Sequence, residues 1–243
     1  AKVDPRGSRM FDPSTTGSNF QGGIVSQNPE PGNYRDGVSR MSAKYVSQNL
    51  TRKLRVMTYA EACFLLAEAV ERNFVSSGDA GGSAEQWYNK GVETSFIDWE
   101  FTAADAATYL ASADKNAWGT SAKYGDAVSD PGNSNLEKIV TQRYIAFFPD
   151  LANQVWNDKR RLNLPAMQIP QYRKTGDGTW PTDGDIKNPA NFIQRTAYPQ
   201  SEPKLNRENY EAAVSLLGGD GDKASTPLWW ASKKANYCTS NNP

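Results

Sequence analysis

Histidine is absent from this chain, and cysteine occurs only at Cys63 and Cys238. Without histidine the side chain that titrates nearest neutral pH is missing, together with the commonest metal ligand. Acid–base work would fall to carboxylates, and an enzyme is not expected. Two cysteines so far apart make neither a CxxC pair nor a disulfide framework. Cys63 falls in an apolar segment, where a free cysteine acts as a small hydrophobe. An excess of either charge is also lacking, since 27 Lys and Arg balance 27 Asp and Glu. With no basic patch, nucleic acid is not an expected partner. No apolar run is long enough to span a bilayer. The chain opens at Ala1 without a hydrophobic leader, as expected after processing or in a piece of a longer chain.

What is present is a set of amphipathic segments set in polar sequence, with a mean hydropathy of −0.69. The 243 residues suffice for one large domain or two small ones. Thr58–Asn73 is the strongest segment. Thr58 and Glu61 have the T-x-x-E spacing of a capping box. Tyr59, Ala62, Cys63, Leu66, Ala69 and Val70 recur at helical spacing, and Phe64, Leu65 and Ala67 widen the apolar surface almost all round. A helix of that kind is expected to be buried on most of its circumference.

A turn, Ser76–Gly82, separates it from a second helix that opens on Ser83 and Gln86. There Ala84, Trp87, Tyr88, Gly91, Val92, Ser95, Phe96 and Trp99 share one face. Gly91 costs a helix about 1 kcal/mol against alanine, so a second backbone is expected to cross close to it. Helix, turn and helix with small residues at the crossing is the tetratricopeptide pattern, here with a longer turn. Thr102 and Asp105 start a third helix through about Ser112. After a Gly- and Asp-rich linker, Ser134 and Glu137 are expected to cap a fourth, with Leu136, Ile139, Val140, Tyr144 and Phe147 facing a core. A short fifth carries Val155 and Trp156 and ends on Lys159-Arg160-Arg161, read as a solvated terminus or as ion pairs between helices. Asn206 caps a last helix, and Trp229-Trp230 is expected to return to the helical body. Residues 1–57 are loop-rich, 58–112 hold the tetratricopeptide-like helices, and 133–243 hold further helices and loops. Strand signals are scarce, so the fold class is mainly α.

The sequence has no G-x-S-x-G, no P-loop and no metal-ligand spacing, and no cofactor is expected. Gly218-Gly219-Asp220-Gly221-Asp222 lacks the full EF-hand ligand series and reads as a polar turn. Acid pairs such as Asp183 and Asp185 are a weak sign of a glycan-cleaving enzyme. Carbohydrate binding needs flat aromatic faces beside Asn, Asp or Arg, and loops on a rigid scaffold supply both. Such sets occur at Asn33, Tyr34, Arg35, Arg40 and Tyr45, at Trp118 and Tyr124, and at Tyr172, Arg173, Asp177 and Trp180. The plainer reading is that each aromatic pins its own loop to the body.

Several blocks, in order, resemble the C-terminal portion of the SusD/RagB family of nutrient-binding outer-membrane lipoproteins. Asp4-Pro5-Arg6 resembles its DPR landmark. Met57–Ala62 with Leu65–Ala69 resembles its most recognisable helix. Leu136–Ala146 and Trp156–Arg161 resemble the blocks that follow. Arg195–Pro199, Leu205-Asn206, Asn209-Tyr210 and Trp229-Trp230 resemble its close. Gly7 and Arg207 depart from the usual pattern at structural positions. The resemblance implies a protein lipid-anchored to the outer face of the outer membrane through an N-terminal Cys not in this chain. It also implies delivery of an oligosaccharide, or a peptide, to a TonB-dependent transporter. Such proteins are much longer, so an N-terminal half is expected to be absent and to pack on the 58–99 pair. A helical-repeat scaffold that binds another protein is the alternative, and it predicts shorter loops and a continuous repeat array.

Overall fold

The computed structural model describes residues 4–15, 20, 22, 37–43, 55–116, 119–126, 134–168, 193–218, 221–231 and 238–239. The chain divides into two compact units, one of residues 1–23, 29–155 and 243, the other of 24–28 and 156–242. The described residues are mainly α.

In the first unit α1 (Gly7–Met10) leads into β1 (Phe11–Asp12), which pairs antiparallel with β2 (Arg40–Met41). Among the described residues four helices follow: α2 (Tyr59–Glu71), α3 (Ala84–Asp98), α4 (Ala103–Ala111) and α5 (Ser134–Phe147). Their starts follow from capping chemistry. The Thr58 hydroxyl accepts from the Glu61 N–H at 3.1 Å. Ser83 with Gln86 and Thr102 with Asp105 form complete capping boxes. Two helices stop alike. Asn73 (φ 58°) and Glu100 (φ 63°) take left-handed backbone, and the next N–H groups, of Phe74 and Phe101, bond back to Ala69 and Phe96 carbonyls.

The core is built from Ala60, Phe64 and Ala67 of α2, Tyr88, Val92 and Phe96 of α3, Ala106 of α4, and Ile139 and Ala146 of α5. Gly91 lies where α3 meets α2: a Cβ there would stand 2.7–2.9 Å from the Phe64 ring. What meets Gly91 is therefore the Phe64 side chain, not the expected second backbone. The expected all-round burial of α2 is also absent. Cys63, Phe64 and Ala67 are buried, but Tyr59 is 57% and Leu65 43% exposed, because α2 packs on α3 and α5 and its remaining face meets neither. Cys63 is buried and free, and burial raises its thiol pKa.

Helix α5 differs from its expectation. Ile139, Val140 and Phe147 are buried, but Tyr144 is 46% exposed and Leu136 is half-buried. Ser134 is the first residue of the helix, not its cap. Glu137, Lys138, Gln142 and Arg143 are buried instead. Each is buried against a polar partner: Glu137 accepts from Thr120 Oγ1, Lys138 Nζ donates to the Ser121 carbonyl, Gln142 Nε2 donates to Tyr109, and Arg143 pairs with Glu68 at 2.9 Å.

Helix α6 (Ala152–Leu162) starts in the first unit and ends in the second. It is followed by β3 (Met167–Gln168), α7 (Glu202–Leu205), α8 (Arg207–Leu217) and β4 (Cys238–Thr239), with β3 and β4 parallel. The basic end of α6 is not a solvated terminus. Lys159 is 1% exposed, and its ammonium donates to the Asn163 and Pro165 carbonyls, closing the helix. Asn206 holds the N-cap position of α8, but its side-chain oxygen accepts from the Asn209 amide and caps no backbone N–H. No described helix is long and apolar enough to cross a membrane.

Candidate functional site

Among the candidate ligand residues, Arg40 is described. It is exposed on β2 opposite Asp12. The ribbon that carries it is tied to α1 by the Ser42 N–H on the Met10 carbonyl at 2.9 Å, and to Asp12 Oδ2 by the Ala43 N–H at 3.0 Å. Tyr34, Arg35, Tyr45, Trp118 and Trp180 lie outside the described residues, as do Asn33, Tyr172, Arg173, Asp177, Asp183 and Asp185.

The loop that carries Tyr124 is anchored from below. Lys138 Nζ reaches the Ser121 carbonyl at 2.7 Å, and burial holds that ammonium below its usual pKa. The Tyr88 hydroxyl donates to the Ala122 carbonyl at 2.6 Å, and Ser121 Oγ to Asp126 at 2.8 Å. Tyr124 itself donates to Glu71 at 2.6 Å and packs its ring on Tyr88 at 5.2 Å. Burial, with Glu71 next, drives its phenol far above the ordinary range. These contacts pin Tyr124 to Glu71 of α2 and to Tyr88 of α3. What the sequence hides is that α5 fixes this loop with a buried Lys and Glu, because an amphipathic pattern counts such residues as solvent-facing.

An open groove of about 290 Å³ runs beside α1 and β1, lined by Met10, Phe11, Tyr144, Phe147, Phe148 and Val155 among others. Its walls suit an apolar chain better than sugar hydroxyls, which need partners for their hydrogen bonds.

In the second unit the Asp222 carboxylate accepts from Arg195, from the Tyr198 N–H at 3.0 Å and from Tyr210 at 3.2 Å. Burial alone would raise its pKa, but the Arg195 and Tyr198 hydrogen bonds bring it below the ordinary value. Asp222 thus serves the turn that Gly218 (φ 64°) and Gly221 (φ 71°) make. Elsewhere in that unit Trp156 Nε1 donates to the Ile193 carbonyl at 2.8 Å, and the Arg160 guanidinium lies 3.8 Å from the Trp156 ring centre and 4.8 Å from that of Trp230. Trp230 thus returns to the body, whereas Trp229 is 89% exposed. The sequence signal for this corner is the four-residue spacing of Trp156 and Arg160.

The family described as "Susd and RagB outer membrane lipoprotein", SusD-like, matches residues 3–231. The chain belongs to the SusD/RagB family. A SusD homolog from Parabacteroides distasonis is 38% identical with a TM-score of 0.76, over 99% of this chain and 46% of its own. One from Bacteroides vulgatus is 30% identical with a TM-score of 0.67, over 96% and 47%. A chitin-binding SusD homolog from Flavobacterium johnsoniae shares the fold at 23% identity and a TM-score of 0.66, over 96% and 47%. The chain spans about half the length of these solved relatives. No curated protein matches it.

Proposed function

We propose that the full-length protein is a cell-surface nutrient-binding lipoprotein that captures an oligosaccharide and delivers it to a TonB-dependent outer-membrane transporter. Family membership across residues 3–231 carries this reading. A helical body that fixes its loops from inside supports it, because binding loops need a rigid base. Anchoring is through a lipidated N-terminal Cys outside this chain. The rest of the protein, an N-terminal half, covers the face of α2 that α3 and α5 leave open. The ligand is held without chemistry, by Arg40 together with Tyr34, Arg35, Tyr45, Trp118 and Trp180. A peptide ligand is the second reading, since the apolar groove beside β1 suits a side chain better than a sugar.

Titration calorimetry of the full-length protein against oligosaccharide and peptide panels tests this. An oligosaccharide binds and is recovered uncleaved, and the double variant Tyr34→Ala/Trp180→Ala binds about tenfold more weakly. Peptide binding alone, or release of shorter sugars, defeats the reading. Unchanged affinity in the double variant removes those two residues from the site.

A further inference from the structure

We infer that Asp12 is a positioning residue for the ligand site: it fixes the register of the β1–β2 ribbon, and with it the face on which Arg40 stands. The inference rests on the oligosaccharide reading and on Arg40 as a ligand residue, and it adds the residue that holds Arg40 in place. The ribbon is short. Each strand has two residues, with Phe11 opposite Met41 and Asp12 opposite Arg40. A two-stranded ribbon is marginal in water by itself. Register is its weaker point, because side chains alternate between faces along a strand. Arg40 and Met41 are both exposed, so burial does not choose one register of β2 over another. A slip of one residue would carry Arg40 to the opposite face.

The β1 side of the ribbon has a firm base. Arg6, just before α1, donates to Ser95 of α3 and Gln142 of α5. Met10 is buried, and the Phe11 ring lies 5.1 Å from that of Phe148. Two bonds beyond the paired residues tie β2 to this base: the Ser42 N–H on the Met10 carbonyl at 2.9 Å, and the Ala43 N–H on Asp12 Oδ2 at 3.0 Å. A slipped strand could remake the first with another carbonyl, since every residue carries one. The second joins one particular side chain to one N–H, so it is met in a single register. A charged acceptor also makes it stronger than a neutral bond. Asp12 has a second hold on the site. It is the cross-strand partner of Arg40, and opposite charges at facing positions attract. A guanidinium restrained in this way loses less rotamer freedom when its N–H donors meet sugar hydroxyls.

The test uses full-length protein and hexasaccharides of glucose, N-acetylglucosamine, xylose and mannose as probes, read by calorimetry. For a hexasaccharide that the natural protein binds, Arg40→Ala and Asp12→Ala each weaken affinity about tenfold. Asp12→Asn, whose amide oxygen still accepts from the Ala43 N–H, loses no more than about threefold. In an Arg40→Ala background Asp12→Ala adds less than about twofold, because a residue that acts through Arg40 then has nothing to place. The melting temperature of Asp12→Ala stays within a few degrees of the natural protein. Unchanged affinity in either alanine variant overturns the positioning role and leaves the oligosaccharide reading standing. So does a tenfold loss that repeats in full in the Arg40→Ala background, since Asp12 then acts independently of Arg40. An equal loss in Asp12→Asn overturns the register argument, as the acceptor is still there. A large drop in the melting temperature of Asp12→Ala also overturns it, because the carboxylate then supports the fold and not one side chain. No binding of any of these sugars to the natural protein overturns the oligosaccharide reading and this inference together.

Discussion

Arg6 has no exposed surface, yet it carries a full charge into the first unit. Its guanidinium pairs with Asp4, donates to Ser95 Oγ at 2.7 Å and Gln142 Oε1 at 2.6 Å, and lies 4.8 Å from the centre of the Phe96 ring. One residue thus ties the chain before α1 to α3 and α5. Asp4 is the carboxylate that balances the charge, and its side chain is 13% exposed. Removing one member of such a pair strands the other, at a cost of about 3–5 kcal/mol. Asp4→Asn keeps the shape and removes the charge. Its chemical-denaturation midpoint is expected to fall by an amount equivalent to about 3 kcal/mol. A loss under about 0.5 kcal/mol, the range of a surface change, would show that the three neutral partners suffice.

At the scale of elements, the α2–α3 pair depends on Gly91. Alanine is the better helix former by about 1 kcal/mol, so propensity alone predicts that Gly91→Ala stabilises. The contact predicts the opposite, because the new methyl would stand 2.7–2.9 Å from three atoms of the Phe64 ring. Overpacking of a buried crossing costs about 1–3 kcal/mol. Thermal melts are expected to show Gly91→Ala below the natural protein and Gly91→Ala/Phe64→Leu partly recovered. A higher melting temperature for Gly91→Ala would mean that the helices separate freely. That Gly91 has a close neighbour was legible in the sequence because a glycine amid helix formers needs a reason, but that the neighbour is the Phe64 ring and not a backbone was not. Helix positions and the Ser83 and Thr102 caps were legible for a similar local reason, since caps and periodicity lie within a few residues of each other. The inward polar side of α5 was not. Glu137, Lys138, Gln142 and Arg143 are buried by partners 17 residues away or more: Thr120, Ser121, Arg6, Tyr109 and Glu68. Of the candidate ligand residues, Arg40 could be placed on its ribbon, whereas the Trp156–Arg160–Trp230 corner required the fold to bring positions 70 residues apart together.

For the whole molecule, the exposed face of α2 and the length of the relatives bear on one another. Tyr59 and Leu65 are exposed, Ala62, Leu66 and Ala69 are half-buried, and Val56, Met57 and Phe74 are exposed nearby. The solved relatives are about twice as long as this chain. We propose that the remainder of the full-length protein packs on this face, as a single helix pair leaves one side without a neighbour and stacked repeats supply it. A charge placed there separates the cases. Leu65→Glu in the 243-residue chain puts a carboxylate into water and changes stability by no more than about 0.5 kcal/mol. In the full-length protein the same carboxylate is buried among apolar side chains without a partner, and the loss is about 2–4 kcal/mol. Denaturation of both proteins, with and without the substitution, gives the comparison. Equal small effects in the two would leave the face free in the whole protein, and the packing role proposed for the N-terminal half would move elsewhere.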